Sequence, residues 1–299
     1  VNDTSYKFGF LKSILDNLYN TDDKLTLTFD QLFSKFAEIY WNLVLKHHIL
    51  QKNPGKTNRR SALESALLET KEKYAIEEDI PFESITDEMK LFVCHKVKVK
   101  CKEKVVGALY ADLGGLFYSF SKSGEWLQIN PQMYEFVCKH KVAIEKLNYY
   151  EWAKFLEKVN DNSQVDHLLS KIDESTMRTR NSLAYYRDIL FQEFENKCFY
   201  CGKPVSYGSV EVDHFIPWSF IKDDKLWNFV LACPACNNNK RDKLADTIFL
   251  DRLVRRNNIL VEHHRVEPQL QLNRLRSIYK WAQRNGYDEI WTPRQKVSV

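Results

Sequence analysis

Four cysteines, a carboxylate, a histidine and two asparagines crowd into residues 198 to 237. Cys198 and Cys201 form one C-x-x-C pair and Cys233 and Cys236 a second, with 31 residues between the pairs. Each pair can make a tight knuckle that presents two sulfurs to one tetrahedral zinc. Four thiolates fill the coordination sphere, so such an ion staples the fold and does no chemistry. A thioredoxin-like redox role needs a single pair in a βαβ setting, which is absent here. The other three of the seven cysteines, Cys94, Cys101 and Cys138, have no close partner spacing and read as small apolar core residues.

Between and beyond the cysteine pairs stand Asp213, His214, Asn228, Asn237, Lys240 and Arg241. Hydrolysis of a phosphodiester needs a water, a base to deprotonate it, and a cation to neutralise charge on the phosphorus and the leaving oxygen. His214 can be the base. Asp213 and the amide oxygen of Asn237 are hard oxygen ligands suited to Mg²⁺ or Mn²⁺, which needs only one or two protein groups beside its waters and substrate phosphate. Asn228 cannot act as acid or base, but its amide can bond backbone across the loop and hold His214 in orientation. Lys240 and Arg241 follow Asn237 by three and four residues, the spacing of one helix face, within reach of a scissile phosphate.

These side chains need elements to place them. GSVEVDHFIP alternates as a short strand that ends near Pro217, NFVLA is a second strand that runs into Cys233, and Pro234 stands where a first helical turn tolerates it. The order is strand, loop, strand, helix. In a regular strand Asp213 and His214 point to opposite faces, so they converge only if the strand ends or bends there. A helix from Arg178, with Leu183, Tyr186, Leu190 and Phe194 on one face, leads into Cys198. Beyond the motif, IFLDRLVRRNN and QLQLNRLRSIYKWAQRNG read as two further helices, the second ended by Asn285 and Gly286.

Upstream, KFGFLKSILDNLYN and FDQLFSKFAEIYWNLVLKHHIL place apolar residues at helical steps, as in Phe29, Leu32, Phe36, Ile39 and Leu43. A third helical pattern, NRRSALESALLETKEKYAI, follows a loop with Pro54 and Gly55. From Lys96 to Lys104 every even position is lysine, a two-residue period that predicts a strand with its charge on one face. Such a strand either contacts phosphate or is a lysine-protected edge; a solvated helix is the alternative. LFYSFS and EWLQI flank a KSG turn as a β-hairpin, a long helix is expected from Gln132 to about Val159, and DNSQ follows as a linker. The expected fold is mainly α with a small α+β module, divided as a helical domain over 1–175, a catalytic module over 176–260, and a helical extension over 261–299 packed on that module.

Charge is uneven along the 299 residues. Residues 1 to 180 carry 26 basic and 26 acidic side chains and residues 181 to 299 carry 18 and 14, so all of the net charge of +4 lies in the C-terminal part. Within it residues 239 to 284 hold 11 basic and 5 acidic side chains, mostly arginine on the basic side, whose fork suits phosphate. Lys240, Arg241, Lys243, Arg255 and Arg256 are the candidate nucleic-acid contacts in this stretch. No apolar run reaches the roughly 18 residues of a membrane span, and VNDTSYKFGFLKS lacks the order of a secretory signal, so a cytoplasmic protein without a membrane partner is expected.

D-H-x-x-P, then N, then C-x-x-C-N-x-x-K, preceded by C-x-x-C, resembles the HNH endonucleases of the ββα-metal class. DHFIPWSFIKDDKLWNFVL is also similar to the HNH domain of the RNA-guided CRISPR effector nucleases. The resemblance covers about residues 178 to 260. It implies that Asp213 ligates the catalytic metal, His214 activates water, Asn228 holds the loop, and Asn237 is the second protein ligand where many members have histidine. It also implies a DNA substrate, most simply a duplex, and a bacterial restriction or anti-phage role with an activating or sensor protein reached through the N-terminal domain. A zinc-stabilised module that only binds nucleic acid, or a scaffolding subunit, is the alternative; it needs the cysteines but not the four other residues together.

Overall fold

Polar side chains cap several helices of the N-terminal half. Thr28 and Ser61 each close a reciprocal capping box, with Gln31 and Glu64 respectively, and Asn130 accepts from the backbone of Gln132 and Met133 ahead of Pro131. The computed structural model describes residues 3–52, 60–76, 79–161, 166–176, 183–265 and 272–293. The chain divides into two compact units, Val1–Thr179 and Arg180–Val299. Parts of four expected elements lie outside the described residues: the Pro54–Gly55 loop with the start of the third helical pattern, most of the DNSQ linker, the start of the helix drawn from Arg178, and the first residues of QLQLNRL.

The first unit is built from α1 (Tyr6–Asn17), α2 (Phe29–Trp41), α3 (Ala62–Lys73), α4 (Asp87–Asp112), α5 (Pro131–Lys139), α6 (Lys141–Glu157) and α7 (Leu168–Thr176). Phe29, Leu32, Phe36, Ile39 and Leu43, the stripe read from the sequence, are all fully buried, and α2 runs on into a π-helical turn over Asn42–Lys46. The hairpin forms as β2 (Tyr118–Ser121) and β3 (Trp126–Ile129), and β1 (Thr26–Thr28) adds to its free edge in the order β1-β3-β2. The expected helix from Gln132 to Val159 is two helices, parted at His140, whose φ of −120° leaves the helical range.

The lysine comb is a correction. Lys96 to Lys104 lie inside α4, not on a strand. An every-second-residue pattern also contains the four-residue step of a helix, and the salt bridges follow that step. Lys96 and Lys100 reach Glu69 of α3 at 2.5 and 2.6 Å, while Lys98 and Lys102 reach Glu125 of the hairpin turn at 2.7 and 2.6 Å. Lys100 and Lys96 hold the Glu69 carboxyl down to about 2, and Lys102 and Lys98 hold Glu125 down to about 2. Four of the five lysines are therefore committed to carboxylates of their own unit.

In the second unit α8 (Ala184–Glu193) lays Ile189 and Leu190 on a core completed by Val210, Leu226, Phe229, Leu231 and Leu260. The antiparallel ribbon β4 (Glu211–His214) and β5 (Phe229–Ala232) pairs Glu211 with Ala232 and His214 with Phe229. Short α9 (Trp218–Ile221) lies in the loop between them, and α10 (Pro234–Lys240) follows β5 directly with Pro234 in its first turn. Then come β6 (Leu244–Ala245), α11 (Thr247–Glu262) capped by Asp246, α12 (Leu272–Arg284) and β7 (Ile290–Trp291). Gly286, at φ +97°, ends α12 in a conformation that side chains avoid, and β7 then pairs parallel to β6. The 261–299 stretch, expected as a helical extension packed on the module, also supplies the strand that pairs with β6. Among the described residues no helix is long and apolar enough to cross a membrane.

Arg256 of α11 is a second correction. It is 8% exposed and donates to the backbone carbonyls of Leu226, Trp227 and Phe229, while Asn257 donates to Trp227 as well. Burial pushes its guanidinium down to about 9, so it stays charged at neutral pH while serving the backbone. Its place is under the loop that enters β5 and not on a phosphate-facing surface. Replacing Arg256 by methionine takes the charged donor from the Phe229 carbonyl and removes a second donor from those of Leu226 and Trp227, and is expected to cost on the order of 3 kcal/mol, read from denaturant unfolding.

Candidate active site

The two C-x-x-C knuckles bracket the β4–β5 ribbon in sequence. Cys198 receives the amide of Gly202 on its carbonyl at 2.9 Å and donates its own amide to Lys203 at 2.8 Å; Gly202 takes φ +71° to close that turn. The second knuckle is the first turn of α10, where the amides of Cys236 and Asn237 both bond the Cys233 carbonyl. All four sulfurs lie within 4.8 Å of one another, with Cys201 Sγ and Cys233 Sγ 3.8 Å apart. A tetrahedron with metal–sulfur bonds of about 2.3 Å has edges of about 3.8 Å, so the cluster has the size of a zinc site and could hold that ion.

Asp213, the third residue of β4, is 4% exposed. Its carboxylate accepts from the hydroxyl of Tyr200, an inner residue of the first knuckle, and from Lys240 Nζ at 3.0 Å. Lys240 has no exposed surface and also donates to the His214 carbonyl at 2.7 Å, which ties the end of α10 to β4. Its ammonium therefore acts on the carboxylate from inside the module, not on a phosphate from the rim. Burial, and then the charge of Asp213, push the Tyr200 hydroxyl well above its ordinary pKa, so it stays a donor.

His214 is the last residue of β4, and its ring meets Phe229 edge-on at 4.6 Å. Its Nε2 lies 2.9 Å from Asp224 Oδ1. A carboxylate partner fixes the proton on Nε2, which leaves Nδ1 as the basic nitrogen of the neutral ring. Asn228 clips the intervening loop twice: its Oδ1 accepts from the Ile216 amide and its Nδ2 donates to the Ile216 carbonyl, both at 2.8 Å. The Phe215 amide adds a third bond to the Asn228 carbonyl at 2.7 Å. The loop that leaves His214 is thus held by one fully buried side chain.

Asn237 donates Nδ2 to Glu211 Oε2 at 2.7 Å. The carboxylate demands the nitrogen, so the amide oxygen is turned elsewhere. Asp213, His214, Asn237 and Arg241 all line one cavity of about 530 Å³, together with Val212 and Pro217. Strand alternation sends Asp213 to Tyr200 and Lys240 and His214 to Asp224, yet the strand stops at His214 and both residues reach the same hollow. Arg241 follows the last residue of α10 with φ +52°, off the regular helix, and is exposed at this cavity. Lys243 is instead paired with Glu289 at 2.6 Å, and the exposed Arg255 lies on α11; neither lines the cavity.

Three residues of this arrangement were not singled out in the sequence. Glu211 shares the face of Asp213 by the two-residue period, a signal that was readable. Tyr200 lies between two expected metal ligands and so had to be near the site. Asp224 stands in an irregular loop, where spacing carries no such information.

The two sites separate by mutation. Cys233→Ser should lose its zinc and unfold the second unit, since structural zinc contributes on the order of 10 kcal/mol in small zinc-binding peptides. Asp213→Ala should keep zinc content, by elemental analysis, and its circular dichroism. Zinc loss in Asp213→Ala would contradict the separation.

No curated protein and no solved structure matches the chain. Residues 198–245, which hold both knuckles, the β4–β5 ribbon and α10, match the family model of the HNH endonucleases.

Proposed function

We propose that the second unit is a divalent-metal-dependent endonuclease that hydrolyses phosphodiester bonds in DNA. The observation that carries this reading is the convergence of a carboxylate, a carboxylate-paired histidine, a pinned amide and an exposed arginine on one open cavity. Asp213 and Asn237 offer one carboxylate and one amide oxygen, a hard donor set that fits Mg²⁺ or Mn²⁺. When bound, that cation neutralises charge on the reacting phosphate. The protein residues do the rest. His214, with Asp224 holding Nε2, takes a proton from water on Nδ1; the water oxygen attacks phosphorus and the bond to the leaving oxygen breaks. Asn228 fixes the loop that follows His214, and Arg241 contacts a phosphate at the rim.

The excess of basic residues in this half of the chain favours a nucleic-acid polyanion, and the similarity of DHFIPWSFIKDDKLWNFVL to RNA-guided effector nucleases favours DNA and a restriction or anti-phage role. The first unit is then the part that supplies specificity, regulation or contact with a sensor protein. Incubation of the whole chain with supercoiled plasmid and Mg²⁺ or Mn²⁺ should give nicked and linear DNA. His214→Ala should cut at least about 100-fold more slowly, the range for loss of a general base. Equal cleavage by the two proteins would show that the nuclease lies elsewhere.

A further inference from the structure

The two metal sites are joined by one side chain. Tyr200 stands between Phe199 and Cys201, inside the first C-x-x-C pair, so the first knuckle fixes its backbone. The knuckle itself has little slack. Cys198 Sγ and Cys201 Sγ belong to the four-sulfur cluster, the Cys198 amide bonds Lys203, and the Phe199 amide bonds the Leu231 carbonyl of β5 at 2.8 Å. The ring is held from outside as well, edge-on to Phe249 of α11 at 5.4 Å and to Trp291 of β7 at 5.0 Å.

A phenylalanine would satisfy that aromatic nest. Burying a hydroxyl is costly unless it is bonded, and the bond Tyr200 makes is donated to Asp213. With Lys240 on the same carboxylate, two donors from two different elements set its rotation. The oxygen lone pairs left for a cation then have a fixed direction.

We propose that Tyr200 is a positioning residue that couples the cysteine staple to the cation site: the staple sets the knuckle, the knuckle sets the phenol, and the phenol aims the carboxylate. This rests on the reading of Asp213 as a ligand of the divalent ion. Tyr200→Phe keeps the ring and removes only the hydroxyl. It should retain zinc and circular dichroism while binding Mn²⁺ about tenfold more weakly, the lower range for loss of a partner behind a metal ligand, read without DNA from the electron paramagnetic resonance of free Mn²⁺. Affinity within twofold of wild type would overturn the proposal. So would loss of zinc or of fold, because the hydroxyl is assigned to Asp213 and not to the staple.

A second measurement needs no divalent ion. Tyr200→Phe should lower the melting temperature in the wild-type background and leave it unchanged or raise it in Asp213→Ala, where the buried hydroxyl has lost its partner; an equal drop in both would overturn the link. Failure of the underlying reading has a different signature. If wild type and Asp213→Ala bind Mn²⁺ alike, Asp213 is not a ligand and the proposal falls with it, whatever the melting cycle shows of the hydroxyl.

Discussion

The closure of four sulfurs into one cluster is the constraint on which the second unit depends. The unit's ribbon is two short strands, too small to bury a core of its own, and an isolated hairpin is marginal in water. Tying Cys198 and Cys201 to Cys233 and Cys236 brings together chain segments 31 residues apart and holds the segment before the ribbon against the segment after it. The second knuckle is also the first turn of α10, so the same closure sets the direction of that helix against β4. Asn237 and Lys240, both on α10, meet Glu211 and Asp213 of β4 for that reason.

Beside this closure sits a buried charge pair. Lys240 with Asp213 has almost no exposure, and leaving either partner alone would expose the other to an uncompensated desolvation cost. The first unit does the same with Lys12, which pairs with Asp16 and with Glu145 at 2.9 Å in its interior. Asn228 is the neutral counterpart: no charge, two bonds to one residue, and no rotamer left to choose. A histidine at the mouth of such a loop is held in place by the fold itself, and that preorganisation is where positioning gains its effect.

What the sequence disclosed was what short spacing controls. The cysteine pairs, the Asp213–His214 step and the helix opened by Pro234 depend on neighbours, and the apolar stripe of α2 depends on a period. The lysine comb misled because a period of two and a period of four coincide at every second lysine; only Glu69 and Glu125, distant in sequence, decide between them. Arg256 misled for a related reason, since its neighbour Arg255 is basic and exposed while its own side of α11 faces the core. His214's carboxylate partner and the pinning of Asn237 come from loop and strand residues whose spacing to their partners follows no motif. β1, only three residues long, leaves too short a pattern to be read.

The parallel pairing of β7 with β6 bears on modularity. The recognisable motif stops at residue 245, but Trp291 packs on Tyr200, and Tyr279 donates to the Ala245 carbonyl at 2.7 Å. The boundary of the motif is therefore not the boundary of the folding unit. A transplant of this module into another protein, by gene fusion or by design, has to carry the chain through Trp291 as one piece.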